Sequence, residues 1–135
     1  MTNQYHKGKR FELETAKLLT TTTGVTWRRT PQSGAYATNH NINHQMGDVC
    51  TDDLKLSEYV IECKHYHALN LNDIYNQTSK LWTWIKNLEG FCDKWFLFIK
   101  ADHKGIYLIT TRDITRLNIK AKGLTYFPYC LYKVK

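Results

Sequence analysis

Only two prolines occur in the 135 residues, Pro31 and Pro128, and they stand far apart. No Pro- or Gly-rich stretch marks a linker and no repeat is visible, so a single domain over residues 1–135 must organise around one core. Long apolar runs are lacking too. Nothing approaches the roughly 18–20 residues of a membrane span, and Met1, Thr2, Asn3, Gln4 and Tyr5 form no apolar signal region, so an intracellular, cytoplasmic protein with no membrane partner is expected. The four cysteines, Cys50, Cys63, Cys92 and Cys130, include no CxxC pair, which argues against a zinc ribbon and a disulfide framework and predicts reduced thiols. His40-x3-His44 and His65-x-His67 fit none of the usual structural zinc spacings. Acids are in deficit: 12 Asp and Glu against 19 Lys and Arg leave a net charge of +7, which favours nucleic acid or another polyanion over an acidic partner.

What is present suffices for one core, with 42% apolar and 13% aromatic residues. A helix is predicted over residues 6–22, rich in good formers and ended by a threonine run and Gly24. Residues 25–30 read as a strand closed by Pro31. Residues 32–46 are polar, rich in Asn and His and without a period, a loop long enough to be functional. Residues 47–52 and 59–65 form a strand pair, and Asn70 is a plausible cap for a helix that runs to residue 87 before Gly90. Residues 95–100 and 105–110 are strands, residues 111–117 a short helix or turn, and residues 124–132 a last strand that Pro128 confines to an edge or bulge. The order is α-β-β-β-α-β with peripheral strands, an α/β sandwich with a mixed sheet.

Some charged residues fall where apolar ones belong. On the first helix Glu12 lies within the arc of Phe11, Ala16, Leu18 and Leu19, where a carboxylate needs a partner unless it reaches water at the rim. Along residues 59–65, alternation puts Tyr59, Ile61 and Cys63 on one face and Val60, Glu62 and Lys64 on the other, where Glu62 and Lys64 form either a surface ion pair or part of a site. The paired strand brings Asp48 toward Glu62. Two converging carboxylates repel, and a hard divalent cation such as Mg²⁺, with Mn²⁺ able to substitute, relieves the repulsion through oxygen ligands and retained waters. On the second helix Ile74, Thr78, Leu81, Ile85 and Leu88 define the apolar face and Gln77 its edge, toward the same cleft or merely bonded to backbone.

Asp48, thirteen residues, then Glu62-Cys63-Lys64 resembles the D…ExK signature of the PD-(D/E)XK nuclease superfamily. Lys7-Gly8-Lys9-Arg10-Phe11-Glu12-Leu13-Glu14 is similar to the first helix of archaeal-type Holliday-junction resolvases, and residues 30–35, with Ser33-Gly34, resemble the loop those enzymes hold near the scissile DNA. Gly47 stands where the superfamily name has proline, and Leu13 where several resolvases carry arginine. The resemblance implies a restriction-endonuclease-like α-β-β-β-α-β core with a mixed central sheet flanked by helices, and a metal-dependent, structure-selective DNA endonuclease. It further implies that Asp48, Glu62 and the Cys63 carbonyl hold Mg²⁺, that Lys64 serves the attacking water, that Glu12 completes the acidic cluster and that Gln77 is a lesser member.

Lys7, Lys9 and Arg10, Arg28 and Arg29, and Lys80 surround this centre in sequence and are expected, with Ser33 and Gly34, to contact DNA. Nothing among them reads base identity, which points to shape over sequence, and the resemblance implies branched DNA such as a four-way junction as the partner. Opposed nicks in a junction call for a symmetric homodimer, and Trp82, Trp84, Trp95 and Phe96 are either a candidate interface or rings packed inside the core. A restriction-like or repair endonuclease on duplex DNA, or a catalytically silent nucleic-acid-binding module, is the alternative.

Overall fold

The computed structural model describes residues 3–31, 47–68, 70–111 and 114–134. Helix α1 (Asn3–Thr23) leads into strands β1 (Trp27–Arg29), β2 (Val49–Thr51) and β3 (Val60–Tyr66). Helix α2 (Lys80–Phe91) follows, then β4 (Trp95–Ala101), β5 (Gly105–Thr110), β6 (Lys122–Tyr126) and β7 (Cys130–Lys133). The strands form one seven-stranded sheet in the order β1-β2-β3-β4-β5-β7-β6. Within it β3 and β4 pair in parallel, as strands joined by a helical crossover must, while the other neighbours are antiparallel. The mixed sheet is the one that the element order predicts, and the arrangement is the restriction-endonuclease-like core that the resemblance implies.

Alternation along the strands splits the core into two layers. Phe11, Ala16 and Leu19 of α1 pack with Ile61, Cys63, Phe96, Phe98 and Leu108 on one face. Leu81, Trp82, Ile85 and Leu88 of α2 pack with Val60, Leu97, Ile99 and Ile109 on the other. Each fully buried Leu, Ile or Phe stabilises the fold by about 1.5–3 kcal/mol, so this double layer is what holds β3 and β4 rigid behind the site. The threonine run fastens the end of α1 to β1: Thr23 Oγ1 donates to Leu19 O at 2.6 Å and accepts from Trp27 Nε1 at 3.0 Å. Gly24, at φ +79°, then closes the helix as expected.

Two elements depart from the sequence reading. The single helix expected from Asn70 is a 3-10 turn (Leu71–Tyr75) capped by Asn70, followed by α2, whose own cap is Ser79. Asn76, Thr78 and Ser79 favour local side-chain bonds over helix: Asn76 Oδ1 accepts from Thr78 N at 3.1 Å, and Ser79 Oγ from Trp82 N at 3.4 Å. Gly90 lies inside α2 rather than ending it. At the C-terminal end the one expected strand is a hairpin, β6 and β7, with Pro128 in its turn and Phe127 N bonded to Tyr129 O at 2.9 Å.

Of the two readings of the aromatics, the structure favours internal packing over an interface. Trp82, Trp95 and Phe96 are buried within the single chain, and the Trp82 indole donates to Ile74 O at 2.7 Å. Trp84 is partly buried at the edge of the α2 layer. Ser33, Gly34, His40 and His44 lie outside the described residues. No helix among the described residues is long and apolar enough to cross a membrane.

Gly47 sets the approach of β2 to β3. Its φ is +92°, and a Cβ there would lie 2.8 Å from Ile61 O and 3.1 Å from Val60 Cγ1. Proline, locked near −65°, cannot adopt this conformation, which explains why glycine stands at this position in place of the superfamily's residue. Gly47→Ala is expected to lose about 1–3 kcal/mol in urea denaturation. Unchanged stability would mean that the close approach carries no strain.

Candidate active site

Asp48 occupies the fork where β2 leaves β3. Its main chain ties both neighbours together, donating from N to Ile61 O at 2.8 Å and accepting at O from Thr30 N at 3.0 Å. Its side chain then takes over where the ladder stops: Oδ2 accepts from Cys63 N at 2.8 Å. Asp48 thus grips β3 on both sides of Glu62, at Ile61 and at Cys63, and this clasp fixes one carboxyl against the other. The alternation read from the sequence holds, with Ile61 and Cys63 in the α1 layer and Val60 in the α2 layer.

The electrostatics follow from that placement. Burial, together with the hydrogen bond to Glu62 and repulsion from its charge, pushes the Asp48 carboxyl up to about 8; the Cys63 amide and Lys64 act against this. Glu12 is raised as well, by burial first, with the Asp48 charge adding to it. The partner that Glu12 needs is Arg29, whose Nε donates to Glu12 Oε1 at 2.8 Å. The Cys63 thiol is pushed up by burial in the α1 layer, so its side chain is a packing group and only its carbonyl is available as a ligand.

Lys64 points to the α2 side, its Nζ 5.5 Å from the centre of the Trp84 ring, and Lys80 lies 5.0 Å above the ring of Tyr66. Gln77 is exposed in the turn ahead of α2, off any helix, and its carbonyl accepts from Lys86 Nζ at 3.3 Å. The basic residues divide. Lys9 and Arg10 are exposed on α1, Arg28 pairs with Asp52 at 3.2 Å, and Lys7 pairs with Asp102 at 2.6 Å. Asp102 also meets His65 Nε2 at 3.0 Å and His67 Nδ1 at 3.3 Å, and the Lys7 ammonium, then His65, holds its carboxyl well below the usual range.

Sequence reasoning missed Arg29 as the partner of Glu12, although the signal was available: Trp27 and Arg29 share a face of β1, and Trp27 is buried against α1. The Trp84 contact of Lys64 and the Asp102 cluster had no local signal, since both join residues far apart in the chain.

The donor set suits a hard cation. A half-buried pair of carboxyls, one pushed up to about 8 by burial and then by the other, is relieved by a divalent ion, and Mg²⁺ takes one or two carboxylates and keeps several waters. Among the described residues no three or more His, Cys, Asp or Glu side chains group as a fuller cage.

A mixed sheet between two helices, with an aspartate and an ExK strand meeting at its fork, defines a nuclease of the PD-(D/E)XK superfamily. The model of the phage putative PDDEXK endonuclease family matches residues 3–122, and the chain belongs to that family. No curated protein and no solved structure matches the chain significantly. The match carries an endonuclease and does not extend to the archaeal-type junction resolvases that α1 resembles.

Because the folded Asp48 titrates far above the ordinary value of 3.8, its contribution to stability is full below about pH 4 and lost as pH rises through about 8. Without divalent cations the protein should therefore lose thermal stability across this range, and Asp48→Asn should lose less. Mg²⁺ at pH 8 should stabilise the wild type, by about 2.7 kcal/mol at a hundredfold excess over Kd, and leave Asp48→Asn unmoved. Equal responses of the two proteins in a thermal melt would contradict the site.

Proposed function

We propose that the chain is a metal-dependent DNA endonuclease that uses Asp48 and Glu62, with the Cys63 carbonyl, to hold Mg²⁺ or Mn²⁺, and Lys64 to serve the attacking water. The observation that carries this reading is the convergence of the Asp48 and Glu62 carboxyls at the β2–β3 fork with Lys64 two residues further along β3. A bound divalent ion supplies Lewis-acid stabilisation of the charge that grows on the phosphate oxygens. The Lys64 ammonium orients the water and offsets the same charge. Water oxygen forms the new bond to phosphorus as the opposite P–O bond breaks; the water gives up a proton to solvent and the leaving oxygen takes one from solvent to become a hydroxyl. Glu12, held by Arg29, keeps the acidic wall of the cleft in place, while the exposed position of Gln77 leaves it at most a contact to substrate.

Lys9 and Arg10, exposed on α1, would meet a phosphate backbone together with Arg28, paired with the exposed Asp52, and Lys80, while Lys7 and Arg29 hold Asp102 and Glu12. The finer reading is a junction resolvase acting as a homodimer, supported by the likeness of α1 to the first helix of such enzymes. The surface aromatics lend it little support, because Trp82, Trp95 and Phe96 are buried in the core and Trp84 lies partly buried against it. Cleavage of a four-way junction in preference to a linear duplex of matched sequence supports it, and equal cleavage favours a restriction-like or repair nuclease.

Asp48→Asn, Glu62→Gln and Lys64→Ala should each lose at least about a hundredfold in cleavage rate while still binding DNA, as expected for groups that act on developing charge. Full activity in any one of them contradicts the assignment, and DNA binding by a wild type that cuts nothing in Mg²⁺ or Mn²⁺ favours the silent module. Binding should weaken with salt by roughly 0.9 log units per log unit of salt for each phosphate neutralised on a duplex, with a shallower slope in Lys9→Ala/Arg10→Ala. A slope unchanged by that double substitution would take the DNA surface away from α1.

A further inference from the structure

We propose that Trp84 is the positioning residue for the Lys64 ammonium and that Tyr66 braces the Trp84 ring. The inference deepens the nuclease reading and rests on it. Glu62, Lys64 and Tyr66 share the face of β3 that looks toward α2, and successive members of such a row stand roughly 6.5–7 Å apart along the strand. Trp84, on α2, is partly buried against the layer of Leu81, Ile85 and Leu88, so its ring is anchored by the core at one edge. Lys64 Nζ lies 5.5 Å from that ring's centre. Tyr66 meets the same ring edge to face, with centroids 5.0 Å apart and planes at 74°, and Lys80 Nζ sits 5.0 Å above the Tyr66 ring. The result is a continuous row of Lys64, Trp84, Tyr66 and Lys80 along one side of the cleft.

An aromatic ring differs from a carboxylate as a partner for this lysine. Lysine is a flexible four-carbon stem, and the nearest anion on its own face of the strand is Glu62. Ion pairing there would withdraw both a metal ligand and the cation from the reaction. The negative face of an indole attracts the ammonium without taking a proton or neutralising its charge. Its N–H groups stay available to a water and a phosphate oxygen. Trp84 therefore restricts where Lys64 can reach while leaving its chemistry intact. The Tyr66 ring packed against it keeps the indole from turning away.

The test combines cleavage with a readout that needs no activity. In lysine-labelled protein, ring currents should shift the Lys64 ε-methylene protons upfield, and the shift should vanish in Trp84→Leu and persist in Trp84→Phe. Single-turnover cleavage in Mg²⁺ should fall roughly threefold to thirtyfold in Trp84→Leu, the span of cation–ring attraction from exposed to desolvated sites. Trp84→Phe should restore most of that rate, and DNA affinity should change less than about twofold in both. Trp84→Met, which fills the space without a ring, should behave like Trp84→Leu while melting close to wild type. A Trp84→Met protein that folds and cuts at the wild-type rate overturns the proposal, as does a wild type that cuts but has unshifted Lys64 protons. A wild type that has the shift yet cuts no DNA overturns the nuclease reading and leaves the lysine–indole contact standing.

Discussion

Two carboxyls brought together at a half-buried position call for a compensating charge, and the organisation of this chain around β2 and β3 follows from that constraint. The Cys63 amide holds Asp48 in place, and Asp48 in turn presses against Glu62. Gly47 permits the approach, because a side chain there would collide with the backbone of Ile61. The packed layers of α1 and α2 supply the rigidity that keeps the repelling groups from separating. A stability-minded sequence would place neutral residues at 48 and 62. Retaining the repulsion makes sense where a cation and a phosphate complete the site.

The surrounding cations are divided among separate tasks. Arg29 stabilises Glu12, Lys7 joins α1 to Asp102 beyond the end of β4, and Lys64 rests on Trp84. None of these three is a free surface charge, although all contribute to the same net +7. Since the Asp102 cluster fixes the first turns of α1, it also bears on where Glu12 sits one and a half turns later.

The central features were legible because they follow short-range rules. Alternation over residues 59–65 separated Glu62 and Lys64 from Ile61 and Cys63, and β-forming runs separated by turn residues gave the strand pair that brings Asp48 in. The start of α2 was not legible for a physical reason. Ile74 keeps apolar spacing with Leu81, Ile85 and Leu88, and it remains buried across the break because the Trp82 indole bonds to its carbonyl. The period thus continues while the helix does not. Arg29 read as a DNA contact because its charge outweighed its position on the face shared with buried Trp27. The C-terminal hairpin is legible only as one strand, since Pro128 suggests an edge, whereas it makes the turn.

The account stands or falls on where a divalent cation binds. Anomalous diffraction from crystals soaked in Mn²⁺ tests this most directly. The predicted result is one dominant peak within about 2.0–2.4 Å of oxygens from Asp48, Glu62 and the Cys63 carbonyl, absent in Asp48→Asn crystals. A peak at His65, His67 and Asp102 instead, or a site unaffected by Asp48→Asn, would contradict it.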